Sequence, residues 1–335
     1  MNDLLPWHEE IFHRLQQQRE QGRLPHALLL TGPAGIGKGQ IAGVLGRSLL
    51  CEQPLAGGIP CGQCHGCRLH DAGTHPDLHV LEPEGDSRVI KIDQVRELIE
   101  ALGLRSQYGR GKVVILTPAD RMTIAAANAL LKTLEEPPGD TVLLLVSARP
   151  SALPATIRSR CQLLRLPLPA TEQARSWLAA QPGAGENPDI LLALAGGAPL
   201  AARQAADEAR LERRAQMLQD WQAMATGQAD PVVIAAKWVK PEAGLPISWM
   251  YGWVADMIRL RNGDTQHLLN RDARAALQRL AREVDLNRLY DLLDRILEGL
   301  RLIGTQVNPQ SIVEGLLLYW SNMPRSSPAS PTSKP

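Results

Sequence analysis

Residues 32–39 read Gly32-Pro33-Ala34-Gly35-Ile36-Gly37-Lys38-Gly39, directly after the apolar run Ala27-Leu28-Leu29-Leu30. This is a phosphate-binding loop, G-x-x-x-x-G-K-[ST], at every fixed position but the last, where Gly39 stands for the hydroxyl residue. Backbone N–H groups of such a loop cradle phosphate at a helix N-terminus, and the lysine neutralises the β and γ oxygens. Gly32, Gly35, Gly37 and Lys38 are therefore the candidate nucleotide-contacting residues. The hydroxyl that would ligate Mg²⁺ is missing.

Working outward, residues 24 to 165 alternate short apolar strands with amphipathic helices, the pattern of a parallel α/β sheet. Strands are predicted at Ala27–Leu30, Leu78–Leu81, Val113–Leu116, Val142–Val146 and Gln162–Leu166. Helices are predicted at about 37–50, at about 94–102 after Asp93, and from about Asp120 to Glu135, where Pro137-Pro138 stops the last. Strand signals end at Pro167-Leu168-Pro169. Thr171–Ala180, Asn187–Leu194 and Pro199–Asp207 then read as a small helical domain, with a turn at Gly196-Gly197.

From about 210 the pattern is helical throughout. Leu277, Leu280, Ala281 and Val284 form one apolar stripe; Leu289, Leu292, Leu293, Ile296, Leu297 and Leu300 form another. Asn308-Pro309 predicts an N-cap with proline at N1, opening a last helix through Trp320. Residues 324–335 are rich in Ser, Pro and Lys, the composition of a disordered tail. No internal repeat is present.

The second half of a nucleotide site is also incomplete. A strand of a P-loop ATPase ends in the carboxylate that organises Mg²⁺ and often a Glu that activates water. Here Val113-Val114-Ile115-Leu116 is followed by Thr117-Pro118-Ala119-Asp120, so Thr and Pro stand in the acidic positions. Asp120 reads as the N-cap of the next helix. Metal-assisted hydrolysis has no visible machinery in this chain, whereas weak ADP or ATP binding through Lys38 and the loop amides stays open.

Four of the five cysteines, Cys51, Cys61, Cys64 and Cys67, are spaced C-x₉-C-x₂-C-x₂-C on a Gly/Pro-rich segment. That supplies four soft ligands for a tetrahedral structural Zn²⁺, with no position left for a catalytic water. Disulfides or an iron–sulfur cluster are the alternatives, and His65, His70 or His75 could replace one ligand. Cys161 is distant in sequence and reads as a buried apolar thiol. Near it, Arg158 and Arg160 are placed on a short helix ahead of the last strand, which would offer guanidinium groups to phosphate oxygens. Spacing alone favours the plainer reading of a solvated basic turn.

The chain has 335 residues, 44% apolar and 21% charged, with formal charge +1 and pI near 7.7. That suffices for two or three domains and gives no global basic field for autonomous nucleic-acid binding. The start, Met1-Asn2-Asp3-Leu4-Leu5-Pro6-Trp7, has neither a basic region nor an apolar stretch, and no run approaches a membrane span. A cytoplasmic protein with no membrane partner is expected.

Taken together these residues resemble the bacterial clamp-loader subunits of the AAA+ class, over most of residues 1–210. The strongest stretch is Ala126-Ala127-Asn128-Ala129-Leu130-Leu131-Lys132-Thr133-Leu134-Glu135-Glu136-Pro137-Pro138, similar to the signature that follows the acidic strand in that family. Ser159-Arg160-Cys161 resembles its SRC motif, the cysteine quartet lies where its zinc module does, and Asp71-Ala72-Gly73-Thr74-His75-Pro76-Asp77 is similar too. The C-terminal helices match its collar domain only in composition and length.

The resemblance implies an AAA+ α/β module over about 1–166 with a zinc insertion at about 51–67. It further implies a helical lid over 167–210 and an all-α collar over 211–323. It implies a ring with gamma/tau motor subunits and a delta subunit that loads the sliding clamp onto primed DNA. Arg160 would be a finger acting on a neighbouring subunit's ATP, with Arg158 in support. The missing hydroxyl and carboxylates match the family's stationary, non-hydrolysing member. The rivals are an ATP-hydrolysing motor subunit and a zinc-bearing nucleic-acid-binding module; the latter expects aromatic residues that the cysteine segment lacks.

Overall fold

The computed structural model describes residues 4–85, 87–181, 188–205, 208–240, 244–265, 268–303 and 307–324. It divides into two compact units, Met1–Gln173 and Ala174–Pro335.

The first unit runs α1 (Glu9–Glu20), β1 (Ala27–Thr31), α2 (Lys38–Leu50), α3 (His65–Asp71), β2 (Leu78–Leu81) and α4 (Ile92–Gly103). It continues β3 (Lys112–Leu116), α5 (Ile124–Glu135), β4 (Thr141–Ser147), α6 (Ala155–Arg158) and β5 (Gln162–Arg165). The strands form one sheet in the order β2-β3-β4-β1-β5, and every pairing is parallel. Every residue of β1 and β3 is buried, which explains why these strands read as unbroken apolar runs.

Side chains alternate between the two faces. Leu29, Val114, Leu116, Leu143 and Leu145 pack with Val95, Leu98 and Leu102 of α4 and with Ala127, Leu130 and Leu134 of α5. Against the other face lies α2, where Gly46 permits close approach: a Cβ there would stand 3.2 Å from Val113 Cγ1 and 3.5 Å from Ile115 Cδ1. The parallel sheet flanked by helices is the architecture expected from the alternating pattern.

Two boundaries differ from expectation. The helix expected from Asp120 begins at Ile124, capped by the Thr123 side chain, which accepts from Ala126 N at 3.2 Å. Asp120 lies instead in a 3-10 turn, Ala119–Arg121, with its carboxylate turned inward. The helix expected after Asp93 starts one residue before it, at Ile92, because Gln94 folds back onto Lys91 N.

The second unit is helical among the described residues: α7 (Thr171–Ala179, which crosses the division), α8 (Pro188–Leu194), α9 (Pro199–Ala205), α10 (Glu208–Ala225) and α11 (Pro231–Trp238). It ends with α12 (Gly244–Arg261), α13 (Arg274–Glu283), α14 (Leu286–Leu302) and α15 (Pro309–Ser321). Ala174, Leu178, Leu191, Leu192 and Ala202 make a small cluster. A larger core runs from Met217 to Met323 and takes in Leu277, Leu280, Leu289, Leu292 and Ile296 of the two stripes. Within it Trp221 and Trp320 stack at 4.3 Å between centroids. Asn308 caps α15 as expected, accepting from Gln310 N at 2.9 Å. The tail from 325 onward lies outside the described residues.

Candidate functional site

The loop after β1 delivers Gly32–Gly37 to the N-terminus of α2, with Gly37 at the N-cap in the left-handed region at φ 87°. No side chain fits at two of its glycines. A Cβ on Gly32 would lie 2.2 Å from Leu166 O, and one on Gly37 would lie 2.3 Å from Leu5 Cδ1 and 3.1 Å from His8 Cε1. The loop is thus packed by the N-terminal segment, whose Trp7 Nε1 donates to Ile36 O at 2.9 Å. His8 is 1% exposed, neither ring nitrogen has a hydrogen-bond partner, and burial pulls its pKa down to about 4. Nothing in the sequence around Trp7-His8 signals this contact, because it is made across tertiary distance.

Lys38 is 7% exposed and donates to Pro33 O at 2.6 Å. Burial lowers its pKa, and the charge of Asp120 partly opposes that. Gly39 has room: the nearest atom to a Cβ there would be Thr117 Oγ1 at 4.0 Å. Gly39 and Thr117 therefore face each other where a metal's hydroxyl and carboxylate ligands are expected, and neither offers a carboxylate. Asp120 accepts from Ser147 Oγ at 2.7 Å and from Arg149 Nε at 3.2 Å, and its side chain is 4% exposed. It ties the end of β4 to the turn after β3, the role its sequence position concealed.

At the other end of α2, Cys51 is the C-cap, Cys64 is the N-cap of α3, and Cys67 lies inside α3. The four Sγ atoms of Cys51, Cys61, Cys64 and Cys67 lie within 4.8 Å of one another, and Cys51 and Cys64 Sγ are 3.9 Å apart. A tetrahedral zinc with Zn–S of about 2.3 Å needs sulfurs about 3.8 Å apart. Backbone N–H groups point at the sulfurs: Cys61 N to Cys51 at 3.4 Å, Cys64 N to Cys61 at 3.3 Å, and Cys67 N to Cys64 at 3.3 Å.

Burial pushes the Cys51 thiol up to about 12 and the Cys67 thiol upward, while the N–H groups of Gln63 and Cys64 bring Cys61 down to about 6. A dication among them would outweigh the burial, since a coordinating thiol is deprotonated outright. The four cysteines can hold a metal ion.

The neighbouring histidines have contacts of their own, although His75 Nε2 is buried without a partner. His65 Nε2 meets Tyr108 OH at 3.2 Å, His75 Nδ1 accepts from Asp77 N at 3.1 Å, and His70 lies beside Asp71. Sequence reasoning missed the anchor of this loop: Gln16 Nε2 donates to Ser48 Oγ, which donates to Gly58 O at 2.5 Å, pinning the cysteine segment to α1.

Arg158 ends α6 and is exposed. Arg160 follows it and, rather than pointing free into solvent, leans on the end of α5: Nε donates to Glu135 Oε1 at 2.6 Å and Nη1 to Thr156 O at 3.0 Å. Its side chain remains 32% exposed. Cys161 is half-buried against the sheet core, and burial raises its thiol to about 11. Among the described residues no helix is long and apolar enough to cross a membrane.

Comparison with known proteins gives these features a family. The model described as DNA polymerase III, delta subunit, matches residues 7–170, and that described as DNA polymerase III, delta subunit, C terminal, matches residues 208–322. DNA polymerase III subunit delta' of Pseudomonas aeruginosa is 38% identical over 97% of this chain and 99% of its own. The same subunit of Escherichia coli is 35% identical over 93% and 94%. DNA polymerase III subunit tau of Salmonella typhimurium is 36% identical over 51% of this chain and 26% of its own. This chain belongs to the DNA polymerase III subunit delta' family.

Proposed function

We propose that this protein is the non-hydrolysing subunit of a clamp loader, which lends Arg160 to the ATP site of a neighbouring motor subunit. The observation that carries the reading is the pairing of Gly39 with Thr117, which leaves an otherwise formed phosphate loop without its metal ligands. Asp120, a carboxylate near Lys38, has both oxygens engaged by Ser147 and Arg149. A nucleotide could still rest on Gly32, Gly35, Gly37 and Lys38, held by phosphate contacts alone and not turned over.

The arginine has the opposite character. Arg160 stands at the surface, and its guanidinium keeps one N–H donor beyond those used by Glu135, Thr156 and Ser159. Fixed beside a transferring phosphoryl group, such a charge stabilises the transition state. Arg158 would steady the same turn. The partners would be gamma/tau motor subunits and a delta subunit, with the sliding clamp and primed DNA engaged through the ring in the cytoplasm; the likeness to a tau subunit supports a shared ring architecture. Zinc on the four cysteines would hold the loop between α2 and α3, since a closed thiolate set is structural.

ATP turnover by the isolated chain, beside that of the ring rebuilt with its other subunits, tests this. The isolated chain should be silent. Arg160→Ala should lower ring turnover at least threefold, well under the ~10³–10⁵ of single-site NTPases because other fingers in the ring remain. Turnover by the chain alone that survives Arg160→Ala and disappears with Lys38→Ala would instead make it a motor.

A further inference from the structure

We infer that Glu135 is a positioning residue for Arg160, an inference that rests on the reading of Arg160 as a finger. The carboxylate grips the guanidinium from the side: Oε1 accepts from Nε at 2.6 Å and also pairs with Nη2. Nη1 is taken up by Thr156 O at 3.0 Å, and Ser159 Oγ lies 3.5 Å from it. Those contacts use Nε, both N–H groups of Nη1 and one of Nη2, so of the five guanidinium donors the outward N–H of Nη2 is left for an anion. A carboxylate that took both terminal nitrogens would have blocked the group. This one orients it.

Glu135 is well placed for the task and badly placed for any local one. It is the last residue of α5, at the negative end of the helix dipole. A carboxylate there is unfavourable unless a cation answers it, and Glu136 beside it adds a second negative charge. The support beneath is rigid, for Leu134 and Leu130 are buried in the sheet core, and Pro137-Pro138 ends the chain's helical path. On the arginine's side, Ile157 is fully buried and fixes the short helix that carries Thr156. Two packed elements thus meet at one exposed ion pair, and the free end of the guanidinium is held at a fixed angle.

The test is a double-mutant cycle in the ring rebuilt with gamma/tau and delta subunits, reading kcat and KM for ATP with Glu135→Gln, Arg160→Ala and both together. Glu135→Gln should lower kcat by about 1.5- to fivefold, what an exposed ion pair is worth, and by no more than Arg160→Ala does, with KM unchanged. It should add nothing in the Arg160→Ala background, and Glu135→Asp, which keeps the charge, should recover part of the loss. An equal loss in both backgrounds would mark Glu135 as merely structural and overturn the inference. So would a rise in turnover, which would mean that the carboxylate restrains the arginine. A silent Glu135→Gln beside a costly Arg160→Ala removes Glu135 alone, whereas a silent Arg160→Ala removes the finger itself.

Discussion

One helix, α2, carries a site at each end, and the two are built from opposite materials. At its N-terminus the phosphate loop is made of backbone: Gly32 and Gly37 shape it, and only Lys38 contributes a charged side chain. At its C-terminus the cysteine site is made of side chains, four sulfurs gathered within 4.8 Å. The first has Gly39 and Thr117 where a hydroxyl and a carboxylate would hold a metal and still keeps its shape, because Leu5, Trp7 and His8 pack it from outside. The second has no such redundancy. A backbone cradle keeps its shape without those side chains, while a four-cysteine metal site would need its full set of ligands.

The largest effect should come from breaking the cage. Cys64→Ser should drop the metal content of freshly purified, reduced protein from about one equivalent to near zero, since structural zinc supplies folding energy of about 10–16 kcal/mol in small modules. Hydrogen exchange over 51–71 should rise while the sheet strands stay protected. Retention of the metal would mean that another group, such as a nearby histidine, completes the site.

Next comes the packing of the cradle. His8 has a folded pKa of about 4 against ~6.5 unfolded, so between these values the unfolded chain binds the extra proton. Its contribution is therefore complete above about pH 6.5 and is lost as the pH falls toward 4, on the order of 3 kcal/mol. Urea unfolding of wild type and His8→Phe at pH 7.5 and 4.5 checks this: the variant should lose less stability on acidification. Equal losses would show that His8 is not the group that titrates.

The smallest effects separate the shape of the loop from its chemistry. Gly37→Ala should cost roughly 1–2 kcal/mol for the left-handed backbone alone, with the clash against Leu5 in addition. Gly39→Ser, with open space around it, should be stabilising by about 0.5 kcal/mol through helix propensity and should bring no ATP turnover, because Thr117 still faces it. Hydrolysis appearing with Gly39→Ser alone would show that the carboxylate was never required.

The elements were legible where one physical preference acted alone. Apolar runs bounded by Gly and Pro located the strands to within a residue or two, and Asn308-Pro309 marked the start of α15 because capping is a local matter. Asp120 was misread for an instructive reason. Asp and Thr both cap helices, and the choice between Asp120 and Thr123 fell to Ser147 and Arg149, 27 and 29 residues away, which claimed the aspartate. Glu135 carries no sequence signal apart from its motif, because its partner lies 25 residues on.

By itself the sequence determined the parallel α/β class, the incomplete phosphate loop and the four-cysteine set that can hold a metal, since each rests on residue type and short spacing. Only the tertiary structure decided the strand order β2-β3-β4-β1-β5, the meeting of Gly39 with Thr117, the burial of His8 against Gly37, and the grip of Glu135 on Arg160. Those contacts join segments far apart in the chain. Their energies come from burial and charge pairing that exist only once the sheet has brought the segments together.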